Sequence, residues 1–327
     1  FSRCAVRILF ADKFPDDGLA QLRSAGHECD LQPDLDGESL THAIGDAEVL
    51  VVRSTKVTAE TIAAGAALRL VIRAGAGTNT IDKDVAAQKG IPVCNVPGKN
   101  AAAVAELTMG LLIALDRRIH ENVIDLRNGK WNKKKYSVSR GLVGQHMAIL
   151  GLGAIGLAVA ERARAFGIHL WALDKPGRSD AAQQALAALG IKTVSDLPEL
   201  LGRCDIVSIH VPSAPETKGM VDAEFLAAMQ DGATIINTSR GDVVDEKALI
   251  AAMNERGIKA GLDVYADEPS AGEASFSSDL ANHPNTCGTH HIGASTEQAQ
   301  RAVSEGVLEI IDAFGSGQIM HCVNGQG

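Results

Sequence analysis

Aromatic side chains are scarce in this chain of 327 residues, where Phe, Trp and Tyr together make up only 3%. The core must therefore be filled by Ala, Val, Leu and Ile, and 33 glycines point to many tight turns and close backbone approaches. That profile suits helices packed on a parallel sheet. Long apolar runs are missing too. The longest, Ala101 to Leu115, contains Glu106 and Thr108 and falls short of the roughly 20 residues that span a bilayer, so it reads as a buried helix and no membrane partner is expected. Cysteine is sparse and dispersed. Cys4, Cys29, Cys94, Cys204, Cys287 and Cys322 form no C-x-x-C pair and no ligand-like spacing with histidine, which argues for reduced thiols in a cytoplasmic protein and against a metal site. Nor is there a positive excess. Lys and Arg total 31 against 40 Asp and Glu, a net charge of −9, which argues against nucleic acid as a general partner. No signal-peptide pattern precedes the first strand, and a start at Phe1 without Met points to a trimmed chain.

The length is a little over twice the usual domain size of about 150 residues, so two domains are expected. Short β-rich runs alternate with Ala-rich helical runs, the pattern of parallel sheets with helices on both faces. Strands are expected at Val6–Phe10, Val49–Arg53, Leu70–Arg73 and Val93–Asn95. Gly75 and Gly77 follow the third of these, where doubly wound folds bind their ligands, although two turn glycines would read the same way. One long helix is expected from Asn100 to about Asn128, with Pro97 and Gly98 before it and Gly129 after it. The basic stretch Lys130-Trp131-Asn132-Lys133-Lys134-Lys135-Tyr136 comes next, and is either a solvated face or an anion contact.

Gly151-Leu152-Gly153-Ala154-Ile155-Gly156 lies between an expected strand, Met147–Leu150, and an Ala-rich helix, Leu157–Phe166. A second strand, His169–Leu173, then ends in Asp174. Strand, G-x-G-x-x-G, helix and an acidic residue about 20 positions on form the dinucleotide-binding fingerprint. Gly151 permits the turn, Gly153 leaves room for a pyrophosphate, and Gly156 lets helix and strand pack closely. Unpaired N–H groups at the helix N-terminus favour the phosphates. Asp174 would accept hydrogen bonds from ribose hydroxyls and repel a 2′-phosphate, favouring NAD over NADP; Lys175 and Arg178 nearby weaken that preference.

Four further strands are expected at Asp205–His210, Thr234–Asn237, Lys259–Asp263 and Asn285–Thr289, and several end in polar residues. Thr238-Ser239-Arg240-Gly241 follows one, Asp263 through Glu268-Pro269 another, and His290-His291-Ile292-Gly293-Ala294-Ser295-Thr296 the last. Taken singly, Arg240 could be a surface ion pair, Glu268 a solvated loop acid and His291 a core histidine. Carboxyl ends of a parallel sheet share one side, so their joint placement makes a site the better reading.

These residues resemble the D-isomer-specific 2-hydroxyacid dehydrogenase family. The matching motifs are Val51-Val52-Arg53-Ser54, Arg73-Ala74-Gly75-Ala76-Gly77, Gly129-Lys130-Trp131, Gly151–Gly156, Arg240-Gly241 through Val244-Asp245-Glu246, Leu262-Asp263-Val264 with Glu268-Pro269, and His291 through Thr296. The resemblance implies an α/β protein of two doubly wound parallel-sheet domains. A discontinuous flavodoxin-like substrate domain is expected from residues 1–99 plus 291–327, with an inserted Rossmann NAD-binding domain at 100–290 and the active cleft between them. It also implies a homodimer or homotetramer.

Oxidising a 2-hydroxy acid moves a hydride from C2 to the nicotinamide while the hydroxyl loses its proton, and a histidine can take that proton near neutral pH. His291 is the expected acid/base. Glu268 beside it would favour the protonated imidazole and orient it, and Arg240 offers a planar fork for the substrate carboxylate. By resemblance the cofactor would meet Gly151, Gly153, Ala154, Ile155, Gly156, Asp174, Thr238, Ser239, Asp263, His291, Gly293 and Ala294. The substrate would meet Arg53, Arg73, Gly75, Ala76, Gly77, Arg240 and His291. The leading substrate is 3-phosphoglycerate, whose phosphate would need Arg53, Arg73 or Lys133–Lys135. Glyoxylate, hydroxypyruvate or another small 2-oxo acid is the runner-up, and an NAD-sensing corepressor role is the remote third. Two departures stand out: Ala76 replaces a common Thr, and His290 replaces a Pro, leaving two candidate imidazoles. The chain ends soon after Cys322-Val323-Asn324, so feedback by serine through an appended regulatory domain is not expected.

Overall fold

The computed structural model describes residues 5–269 and 273–325. Cys4 and the start at Phe1 lie outside the described residues. The chain divides into two compact units, one formed by residues up to Asn100 together with those from Ser295, the other by Ala101–Ala294. His291–Ala294, expected with the C-terminal segment, thus fold with the middle of the chain.

The first unit holds a five-stranded parallel sheet of β1 (Arg7–Phe10), β2 (Glu28–Leu31), β3 (Val49–Val52), β4 (Leu70–Arg73) and β5 (Val93–Asn95), in the order β2-β1-β3-β4-β5. This is the flavodoxin-like doubly wound order. All four residues of β3 are buried, as expected of a central strand covered on both faces. On one face Phe10, Val51 and Ile72 pack with Leu19, Leu22, Val307 and Ile310. On the other, Leu9, Leu50, Val52 and Val71 meet Leu40, Ile44 and Ile62. The helix Glu297–Gly315 therefore completes the core of the unit that the chain began.

The second unit holds β6 (His146–Leu150), β7 (His169–Leu173), β8 (Lys192–Val194), β9 (Ile206–Ile209), β10 (Thr234–Asn237), β11 (Lys259–Leu262) and β12 (Thr286–Gly288). All pair in parallel, in the order β12-β11-β10-β9-β6-β7-β8. The chain winds outward from β6 in both directions, so the turn after β6 lies at the topological switch point, where such sheets bind ligands. Small residues set the packing. The helix Ala101–Asp116 lies close against β11, where a Cβ on Gly261 would stand 2.6 Å from Ile236 Cδ1 and 3.2 Å from Leu111 Cβ. Ala105, Ala160 and Ala163 fill the same core. Bulky rings would hold these layers apart, which accounts for the low aromatic content.

Two local expectations fail. The single helix expected over 100–128 is two, Ala101–Asp116 and Ile119–Arg127, broken at Arg118, whose φ is 50°. The Arg118 guanidinium donates to Glu121 at 2.7 Å and to the Lys135 carbonyl at 3.1 Å, and sits 5.0 Å from the centre of the Tyr136 ring. The second helix buries no residue, so no core contact carries the first one onward. β2 and β8 were not expected. Both are edge strands rich in polar, partly exposed residues, and so lack the apolar run that marks the central strands.

Candidate active site

The fingerprint turn has the geometry a dinucleotide needs. Gly151 adopts a φ of +98°, and a Cβ there would stand 2.4 Å from the His210 carbonyl oxygen. A Cβ on Gly156 would come within 1.9 Å of the Gly151 carbonyl oxygen, so helix and strand are in backbone contact. Gly153 differs: a Cβ there would meet nothing within 4 Å among the described residues. Gly153 and Ala154 are exposed at the N-terminus of the helix Ala154–Ala165, which carries no side-chain cap from the described residues, leaving its first N–H groups available to an anion. These residues fit the pyrophosphate of NAD. At the end of β7, Asp174 is 61% exposed and paired with Arg178 at 3.2 Å, so a cation already stands beside the expected ribose acceptor.

Next to the turn, His210 follows β9. Its Nε2 is 2.8 Å from Ser208 Oγ, its Nδ1 is buried without a partner among the described residues, and burial pushes its pKa down to about 4. It is a neutral imidazole that the sequence reading did not single out.

After β10, Asn237 organises the turn that carries Arg240. Its side chain accepts from the Ser239 amide at 3.0 Å and hydroxyl at 2.7 Å, and donates to the Arg240 carbonyl at 2.8 Å. Thr238 is buried and shares a 3.0 Å hydrogen bond with Thr108. Gly241 then lies against the loop after β11, where a Cβ would stand 2.0 Å from the Tyr265 carbonyl carbon. That contact brings Arg240 into the electrostatic range of Glu268.

Glu268 accepts from the Tyr265 amide at 3.2 Å through one carboxylate oxygen. The other lies 2.6 Å from His291 Nδ1. Burial raises the Glu268 pKa, but the hydrogen bond and charge of His291, the Tyr265 amide and the charge of Arg240 outweigh it and hold the carboxyl below its usual range. Among the described residues His290 makes no hydrogen bond to Glu268. His291 has a φ of 52°, which is costly for a residue with a Cβ and persists only where surroundings enforce it. Asp263 supplies that enforcement. Its buried carboxylate accepts from the amides of Ile292 and Gly293, both at 2.8 Å, and from the Thr289 hydroxyl at 2.6 Å. Three acceptor positions of this expected cofactor ligand are thus used by the loop after β12; Ala294 follows, half-buried.

In the first unit, Arg53 follows β3 in a turn held by Asp12, whose carboxylate accepts from the amides of Arg53, Ser54 and Thr55 at 2.6, 3.1 and 3.2 Å. Asp12 was not foreseen, although its place just past β1 is where such sheets carry functional groups. Arg73 ends β4 next in register to Val52, and its guanidinium folds under Gly75, donating to the Ala74 carbonyl at 3.2 Å. The Ala76 carbonyl accepts from Asn95 at 2.6 Å, which fixes the Gly75–Gly77 loop. Of the lysine cluster, Lys135 is held by Asp125 at 3.1 Å, and hydrogen bonds with Tyr136 and Asp125 push its pKa up to about 12. Lys133 and Lys134 are exposed.

Residues 109–293 match the family model described as D-isomer specific 2-hydroxyacid dehydrogenase, NAD binding domain. The chain is 38% identical to D-3-phosphoglycerate dehydrogenase of Methanocaldococcus jannaschii over 316 residues, covering 96% of this chain and 58% of that protein. It is 40% identical to hydroxypyruvate reductase of Thermotoga maritima over 279 residues, covering 85% of this chain and 88% of that one. Among solved structures, a glyoxylate reductase from Paecilomyes thermophila superposes with a TM-score of 0.85 at 26% identity, over 99% of both chains. The chain spans about half to three fifths of the length of the phosphoglycerate dehydrogenases it matches.

Proposed function

Because the chain belongs to the D-isomer-specific 2-hydroxyacid dehydrogenase family, we propose that it oxidises D-3-phosphoglycerate to 3-phosphohydroxypyruvate with NAD. The observation that carries the chemistry is the 2.6 Å contact between His291 Nδ1 and Glu268, beside Arg240 and on the same sheet as the fingerprint turn. NAD, when bound, supplies the hydride acceptor. With Nδ1 held by Glu268, the Nε2 atom of His291 is left to take the proton of the substrate hydroxyl. The ionised Glu268 orients the ring and stabilises the imidazolium that forms. Arg240 holds the substrate carboxylate and polarises the C2 oxygen. The amides of Ala76 and Gly77 act as further carboxylate donors, and Arg53, Arg73, Lys133 and Lys134 supply the positive charge a phosphate requires. Lys135 is the weakest of these candidates, since two carboxylates already neutralise it.

The similarity to a hydroxypyruvate reductase over most of both chains favours a second reading, reduction of an unphosphorylated 2-oxo acid by the same residues. A steady-state panel separates the two: 3-phosphoglycerate, D-lactate, D-glycerate, glyoxylate and hydroxypyruvate, each with NAD(H) and NADP(H). Turnover of 3-phosphoglycerate with a preference for NAD is expected. Turnover of unphosphorylated acids alone would replace the first reading with the second. A preference for NADP would contradict the role given to Asp174.

Self-association belongs to the same proposal. Ile119, Ile124 and Leu126 on the helix Ile119–Arg127, with Trp131, Val138 and Val143 beyond it, are exposed large apolar side chains that a second copy would cover. Sedimentation should give a homodimer or a multiple of it.

A further inference from the structure

Two thiols with no part in that chemistry face each other at the edge of the first sheet. Cys94 is the middle residue of β5, fully buried, and the chain near its C-terminus returns antiparallel along the outer edge of β5 with Cys322 opposite Cys94. Flanking hydrogen bonds set the register: the Val323 amide donates to the Val93 carbonyl at 2.8 Å, and the Asn95 amide donates to the His321 carbonyl at 3.2 Å. The Asn324 side chain locks it by accepting from the Val93 amide at 2.9 Å and donating to the Ile91 carbonyl at 2.8 Å. Bonds on either side of the pair mark the non-hydrogen-bonded site of an antiparallel ladder, where Cα atoms stand about 4.5 Å apart and side chains leave on the same face. A disulfide joins Cα atoms about 4.4 to 6.8 Å apart, a range that includes the spacing of such a site.

We infer that Cys94 and Cys322 form a reversible disulfide site, closed by exchange with a small disulfide such as oxidised glutathione. Cys322 is partly exposed and reacts first: its thiolate attacks one sulfur of the small disulfide and expels a thiolate. Cys94, as its thiolate, then attacks the Cys322 sulfur and expels the second. Two protein thiols are oxidised, one small disulfide is reduced to two thiols, and the protons of both cysteines end on the released thiols. Burial and the neighbouring Cys322 push the Cys94 pKa up to about 12, which makes the second step slow. The bond would tie the C-terminal segment to β5, the strand whose Asn95 side chain and Val96 amide hold the Gly75–Gly77 loop. Cys29, on β2 at the opposite edge, and Cys204 and Cys287, in the other unit, are outside this arrangement.

The test is incubation of the full chain with excess oxidised glutathione at pH 8, followed by thiol alkylation and tryptic digestion without reduction. A linked pair of peptides, residues 90–99 joined to 302–327, is expected. It should disappear after dithiothreitol, be absent in Cys322→Ser, and persist in Cys29→Ser. Loss of two alkylatable thiols per chain should accompany it. Thiols that stay fully alkylatable, glutathione retained on Cys322 without the linked peptide, or linkage of either cysteine to a different one would each overturn the inference.

Discussion

The His291 amide donates to the backbone carbonyl of Asp263 at 2.7 Å, while the Asp263 carboxylate accepts from the two amides that follow. A buried acid after β11 thus holds three consecutive backbone N–H groups after β12, and the histidine proposed as acid/base is positioned from its main chain as well as from its ring. The φ of 52° at His291 is the conformational cost of that geometry.

Asp263→Asn should therefore damage fold and activity together. An amide in place of the carboxylate turns a donor toward the Ile292 or Gly293 amide, and a charged acceptor lost from a buried network costs on the order of 2 kcal/mol or more. Urea unfolding and kcat measured on the same preparation should both fall; wild-type values in both would contradict the anchoring role.

His291→Ala should lower kcat by about 10²-fold or more, the scale of lost general acid-base catalysis, while His290→Ala leaves kcat close to wild type. Glu268→Gln should give a smaller loss than His291→Ala. If His290→Ala produced the larger loss, the proton would pass through the other imidazole.

The glycines of the fingerprint should separate by mechanism. Gly153→Ala meets open space in the fold, so stability should be kept while NAD affinity, read by fluorescence titration, falls. Gly156→Ala drives a methyl group against the Gly151 carbonyl, so thermal stability should drop with or without cofactor. Equal melting temperatures for the two variants would refute this division.

His210 should make the protein less stable in mild acid. Its folded pKa of about 4 lies below the ordinary value of 6.5, so between these limits the unfolded chain binds a proton that the folded chain refuses. Its contribution is present in full above pH 6.5, is lost as pH falls toward 4, and totals on the order of 3 kcal/mol. The slope of unfolding free energy against pH across this window should be shallower in His210→Gln than in wild type; an unchanged slope would exclude His210 as its source.

The central strands were legible because burial on both faces demands continuous apolar runs such as Val49–Val52, and the fingerprint because Gly151 and Gly156 are steric requirements of one turn while Gly153 keeps the helix N-terminus open. His291, Glu268 and Arg240 were legible as polar residues at strand ends. What held them was not. Asp12 reaches Arg53 across 41 positions and Asp263 reaches Gly293 across 30, and a carboxylate's partners at that range depend on which strands become neighbours. The break at Arg118 was hidden for a related reason: two of the groups that hold its guanidinium, Lys135 and Tyr136, lie well downstream. Which of His290 and His291 meets Glu268 was also hidden, because the 2.6 Å contact of His291 depends on how the loops after β11 and β12 fold together.

The helix Glu297–Gly315, which fills the core of the first sheet with Val307, Ile310 and Ile311, reverses the order in which the two units can mature during synthesis. A ribosome releases residues 101–294 before that helix exists, so the middle unit can fold on emerging. The first unit must wait, with one sheet face uncovered, until residues 297–315 arrive. Over that interval the apolar face lined by Phe10, Val51 and Ile72 lacks the cover that Val307 and Ile310 later provide, and stays open to aggregation.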